Sequence, residues 1–137
     1  MNGTTTMPLY FASLRRVLTG TDIFWARRQP DGGFEAPQAI EEVATAATDG
    51  TPVLSFDMLT MYFDSTRTDN GGDVHGDIWA AHRASLNAPF GEVSRVAELN
   101  DAKSGEFPTW LSPDNCRLYL SSDRSGVIQS YVATRTP

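Results

Sequence analysis

The sequence predicts an all-β fold in which a four-stranded antiparallel sheet is repeated about two and a half times. Two observations carry this. An apolar–Tyr–apolar triplet occurs three times, as Leu9-Tyr10-Phe11, Met61-Tyr62-Phe63 and Leu118-Tyr119-Leu120. Each is followed at the same distance by a serine and an arginine: Ser13 and Arg15, Ser65 and Arg67, Ser122 and Arg124. Self-similarity at a fixed period marks a chain built by copying one supersecondary unit. The length changes between copies fall in Gly/Asp/Ser-rich gaps, where surface turns accept insertions. The copies run over about 1–52, 53–109 and 110–137 of one partial domain spanning 1–137.

The elements follow in chain order. Each Tyr triplet is a short apolar run rich in β-favouring residues and bounded by turn formers, which predicts a strand. Apolar residues on both faces suit a strand held between neighbouring sheets. A second block follows: Asp22-Ile23-Phe24-Trp25-Ala26-Arg27-Arg28, then Asp77-Ile78-Trp79-Ala80-Ala81-His82-Arg83, then the degraded Gln129-Ser130-Tyr131-Val132-Ala133-Thr134-Arg135. It predicts the next strand of each sheet. Phe34–Pro37 and Phe90–Val93 end a turn and begin a third strand, and 51–56 and 107–112 supply the fourth. The segment 41–49 reads as an irregular connection, and Asp69–Asp73 as a long hairpin loop.

The turn ahead of the tyrosine has a mechanism. In Ser112-Pro113-Asp114-Asn115, proline presets the φ of a type I turn and Asp114 caps the backbone. Asn115 tolerates the left-handed conformation that closes a bulged hairpin. The second copy reads Ser55-Phe56-Asp57-Met58. Methionine tolerates positive φ poorly, so a different turn is expected there.

Four short strands in about 50 residues match one blade of a β-propeller, a ring of four to eight such sheets. The run Ser-Pro-Asp-x-x-x-Leu-Tyr-x-Ser-Ser-Asp-Arg over 112–124, with a full second copy over 55–83, resembles the WD40-like repeats of TolB-type propellers. The chain departs from that pattern at Asn115 and Met58, where glycine is usual, at Gln129-Ser130 in place of Asp-Ile, and over 1–8, where the Ser-Pro-Asp turn is lost. About two and a half blades leave a ring incomplete. The expectation is a fragment of a longer propeller, or self-association through open blade ends.

The repeated residues Tyr10, Arg15, Asp22, Tyr62, Arg67, Asp77, Tyr119 and Arg124 read as structural. Each arginine ends one strand and Asp22 or Asp77 starts the next, so an Arg–carboxylate bridge across the hairpin is expected. The third copy has no such Asp, and its bridge is expected to be missing. Asp69, Asn70, Asp73 and Asp77 could offer oxygens to Ca²⁺, but their spacing fits no EF-hand loop and they read as a solvated turn. His75 and His82 have no third ligand beside them for zinc, and no metal or cofactor is expected. Trp25, Trp79 and Trp110 read as core between blades, with sugar stacking open to Trp110 only if it is exposed.

The function classes narrow accordingly. Lys plus Arg is 11 against 17 Asp plus Glu, a net charge of −6. That balance disfavours nucleic acid and anionic membranes as partners. No apolar run reaches the roughly 18 residues of a membrane span. The N-terminus has no signal-peptide pattern. Cys116 is the only cysteine, so no internal disulfide forms. There is no nucleophile elbow, zinc-protease motif or phosphate-binding loop, and Lys103 sits in a polar loop. The reading is a non-catalytic scaffold. The resemblance implies a protein partner, engaged at the channel mouth or by loops on one face, and a periplasmic or extracytoplasmic location. The alternative the resemblance implies is the propeller part of a glycan-active lyase or of a prolyl-oligopeptidase-like hydrolase.

Overall fold

A computed structural model describes residues 7–15 and 20–137. Among the described residues, ten strands form three antiparallel sheets. The first sheet holds β1 (Leu9–Ser13), β2 (Asp22–Ala26) and the short β3 (Gln38–Ala39), in that order. The second is complete: β4 (Asp49–Leu54), β5 (Thr60–Ser65), β6 (Asp77–His82) and β7 (Gly91–Arg95). The third holds β8 (Glu106–Leu111), β9 (Arg117–Ser122) and β10 (Gln129–Thr134). This is the arrangement of propeller blades in an incomplete ring. The sheets begin at Asp49 and Glu106, a few residues ahead of the copy boundaries. The lost turn of the first copy falls largely outside the described residues.

The register places the repeat in equivalent surroundings. Tyr10 stands opposite Trp25, Tyr62 opposite Ala80 and Tyr119 opposite Val132, always on the strand pair that carries the Tyr triplet. Strand β3 is later and shorter than the sequence suggests. Phe34 makes only an isolated bridge to Arg28, because the Pro30–Gly33 turn uses up the intervening chain. The segment 41–48 is turn and bend, an irregular connection as expected, with β4 taking over at Asp49.

Side chains alternate across each strand, so one face of the second blade looks back and the other forward. Met61, Phe63, Trp79 and Ala81 look back and form the core with Ile23, Ile40, Val43 and Phe90, joined by Tyr10 and Trp25 of the first blade. Phe63, Met61 and Ala81 are fully excluded from water. Burying a side chain of this size contributes about 1.5–3 kcal/mol. Close packing also fixes Gly72: a Cβ there would lie 2.3 Å from the Arg67 carbonyl oxygen and 3.0 Å from the Trp79 ring.

The turn before the tyrosine is the same in both copies, contrary to the expectation from Met58. Met58 takes φ 62° and Asn115 φ 58°. Met58 N donates to Ser55 O, as Asn115 N does to Ser112 O, each at 2.8 Å. The serine hydroxyl donates to the aspartate and accepts the N–H of Thr60 in one copy and of Arg117 in the other. The aspartate also accepts the N–H two residues on, from Leu59 or Cys116. These clamps over-determine the backbone and hold methionine where its own preference would not put it.

Candidate functional site

Arg67 does not bridge to Asp77 at the start of the following strand, contrary to expectation. Arg67 Nη2 donates to Asp49 Oδ1 at 2.7 Å and to the Val43 carbonyl at 2.7 Å. Ser65 Oγ completes the cluster, accepting from Arg67 Nε at 2.8 Å and donating to Asp49 at 2.5 Å. Asp77 is taken instead by Arg95, with Nε to Oδ2 at 2.9 Å. The third blade has its bridge after all: Arg124 Nη2 lies 3.2 Å from Glu106 Oε1 and donates to the Leu99 carbonyl at 2.7 Å. Ser122 and Ser104 donate to the same Glu106 oxygen.

The register explains the correction. Asp49 pairs with Ser65, and Glu106 with Ser122, so the first residue of each blade's first strand faces the serine that orients the arginine. The partner escaped the sequence reading because it is aspartate in one copy and glutamate in the other. Its signal was position: the acid stands 18 residues ahead of its arginine in both. In the first blade Arg15 lies over the Phe11 and Phe24 rings, 5.4 and 6.0 Å from their centroids. Asp22, at the start of β2, is buried.

Among the described residues, one cleft lies between the first two blades. A cleft of about 780 Å³ is walled by Tyr10, Trp25 and Phe90 and rimmed by Arg27, Glu42 and Met58. Arg83 organises its floor. Its Nε donates to the carbonyl of Met58 at 2.9 Å, its guanidinium stacks on Phe90 at 4.4 Å, and Nη2 reaches the Tyr10 hydroxyl at 3.4 Å. The left-handed turn at Met58 therefore presents the carbonyl that fixes Arg83. The third blade repeats this anchor, with Arg135 Nε on the Asn115 carbonyl at 2.8 Å. No sequence motif announced this cleft, because its walls come from two different copies.

Electrostatics follow the same elements. The Ser55 hydroxyl and the Leu59 N–H hold Asp57 below its ordinary pKa. Ser112 and the Cys116 N–H do the same for Asp114. Burial pushes Asp64 up, against the pull of the Thr51 hydroxyl that donates to it. The hydrogen bonds from Arg95 to Asp77 raise the arginine. The carboxylates of the 69–77 loop are not gathered around one point. Asp77 is bound by Arg95 and the Asp73 N–H, while Asp73 accepts from His75. Among the described residues no group of three His, Cys, Asp or Glu is placed to hold a metal ion. His75 and His82 are exposed, Trp79 is core, and Trp25 is half-buried against it. Trp110 corrects the sequence reading: it is 51% exposed on the last sheet, because no further sheet covers it among the described residues.

Comparison with known proteins places the fold. No family model matches the chain. A threonine–tRNA ligase from Haloarcula marismortui is 32% identical over 117 residues, covering 82% of this chain and 17% of that protein. The chain thus spans about a sixth of that relative's length. The crystal structure of TolB from Acinetobacter baumannii superposes with a TM-score of 0.62 at 18% identity, over 93% of this chain and 27% of that one. The chain has a TolB-like β-propeller fold.

Proposed function

We propose that this chain is a non-catalytic propeller scaffold, part of a longer propeller protein, that binds a protein partner through the loops on one face. The cleft between the first two blades carries the reading. Its floor is fixed by Arg83, and its exposed rim offers Arg27 and Glu42 to a peptide backbone or side chains. Rim charges of this kind set orientation and encounter rate, and the aromatic walls supply apolar contact. The TolB-like fold supports an extracytoplasmic location, periplasmic in a bacterial cell, by analogy.

Capture of partners by the full-length protein, with and without Arg27→Glu, tests this. The variant is expected to lose the captured protein by roughly tenfold while its melting is unchanged, since Arg27 is an exposed rim residue. Failure of the unaltered protein to capture any partner across a range of salt concentrations sinks the reading.

A further inference from the structure

The arginines divide by what they hold. Arg67, Arg95 and Arg124 each meet a carboxylate, on Asp49, Asp77 and Glu106. Arg83 meets two carbonyls, a hydroxyl and a ring. Its Nε donates to Met58 O at 2.9 Å, Nη1 to Leu86 O and Nη2 to the Tyr10 hydroxyl at 3.4 Å each, and its guanidinium lies on Phe90. All 17 Asp and Glu residues are among the described residues, and none of them forms a salt bridge with Arg83. A guanidinium has five N–H donors, and these contacts use three, two of them at the limit of hydrogen-bond length. The remaining donors sit on Nη1 and Nη2, which can grip both oxygens of one carboxylate. Half-buried, anchored at Nε and stacked on Phe90, the group is oriented before any ligand arrives.

The repeat accounts for only part of this arrangement. Arg83 recurs as Arg28 and Arg135, and Arg135 anchors the Asn115 carbonyl as Arg83 anchors that of Met58. That is the structural work of Nε. The neighbours that shape the cleft do not recur. Trp25 stands where the other copies have Ala80 and Val132, and Arg27 where they have His82 and Thr134. Scaffold residues repeat with the scaffold. Departures gathered around one cleft, beside an arginine without an acid, speak for a ligand.

The geometry points to this cleft as the receptor for the C-terminus of a partner polypeptide that ends in an aromatic or large apolar residue. The terminal carboxylate sits on Nη1 and Nη2 of Arg83, and the last side chain lies against the half-buried Tyr10 and Trp25. This deepens, and rests on, the reading of the chain as a protein-binding scaffold. Capture of a chain end is a recurrent mode of peptide recognition. The exposed Glu41 and Glu42, which also line the cleft, favour a chain end over an acidic segment. One carboxylate reaches Arg83, whereas acidic residues upstream of it meet the glutamates, and like charges brought together cost affinity.

Fluorescence anisotropy of the full-length protein with labelled hexapeptides tests this. The probe ends in phenylalanine with a free carboxylate. Its controls are the same peptide amidated, one ending in alanine, and an amidated one with an internal glutamate. The free acid is expected to bind roughly tenfold or more tightly than the amide. Arg83→Gln is expected to make acid and amide alike, and Trp25→Ala to erase the preference for phenylalanine over alanine. Melting curves show whether each variant folds. Should Arg83→Gln fail to fold, the acid-to-amide ratio on the unaltered protein decides. No binding of the free acid, equal binding of acid and amide, or an unchanged ratio in a folded Arg83→Gln overturns the inference. Equal binding of the internal-glutamate peptide assigns the cleft to acidic segments, and 3-phenylpropanoate matching the peptide assigns it to small carboxylates; each overturns it too. If a partner is captured through Arg27 while acid and amide bind alike, the scaffold reading stands and this inference alone falls.

Discussion

The second and third blades share a sequence pattern but not an environment. Strand β6 of the second blade, Asp-Ile-Trp-Ala-Ala-His, is buried at five of its six positions. Its counterpart β10, Gln-Ser-Tyr-Val-Ala-Thr, has none buried. Among the described residues, the second blade has four strands and a neighbour on each face, whereas the third has three strands with β10 at its edge and no sheet over its far face. Sequence follows environment. The core-facing Trp79 and the paired Asp77 become Tyr131 and Gln129, and Tyr131 is half-buried under the Arg124 guanidinium, 5.2 Å from its ring centroid. A repeat's residues are therefore set as much by what lies beside the sheet as by the sheet itself.

The ion pairs sharpen the contrast. Asp49 is fully buried and Arg67 is 8% exposed, whereas Arg124 is 31% exposed above the fully buried Glu106. Removing one partner of a buried pair leaves an uncompensated charge that costs about 3–5 kcal/mol. Asp49→Ala is expected to cost that much, because Arg67 has little access to water. Glu106→Ala leaves an arginine that water reaches, and about 2 kcal/mol is expected. Chemical denaturation of both variants checks the ranking. Equal losses would mean that the third blade's pair is as closed off as the second's.

A smaller effect tests the turn. Exchanging the second blade's residue for the third's, Met58→Asn, puts a residue tolerant of positive φ where the backbone already has φ 62°. A gain of about 0.5–1 kcal/mol is expected, since left-handed backbone is costly for most side chains and least so for asparagine. No gain would show that the Ser55–Asp57 clamp has absorbed the strain entirely.

The smallest effect concerns Asp64, which burial holds above its ordinary pKa. Below the unfolded-state value of about 3.9 both states are protonated and no penalty arises. As the pH rises past that value the unfolded chain ionises first and stability falls, until the folded group titrates as well. Asp64→Asn cannot ionise. It is expected to match the unaltered protein in acid and to exceed it towards neutrality, as read from denaturation midpoints over pH. A difference independent of pH would remove ionisation of Asp64 as the cause.

Much of this was legible in the sequence. Tyr10, Tyr62 and Tyr119 mark equivalent strands, and the serine turns precede Tyr62 and Tyr119 as the pattern indicates. What was not legible depended on through-space neighbours. The acid partner of Arg67 lies on another strand and varies between Asp and Glu, so identical columns passed it by. Met58 looked unfit for its turn because local propensity does not show the hydrogen bonds that enforce it. The cleft needs two blades side by side, and the exposure of Trp110 depends on which sheets lie beside it among the described residues rather than on Trp110 itself.

The acid-to-arginine pair carries one further consequence. It ties the first residue of a blade's leading strand to the close of its second, so the second and third sheets are each stapled from their opening residue. The natural seam of the polypeptide thus falls just ahead of Asp49 and Glu106, not at the tyrosine triplets that make the periodicity visible. A unit excised or duplicated at that seam keeps its staple whole, and one cut a few residues later strands an arginine without its counter-ion.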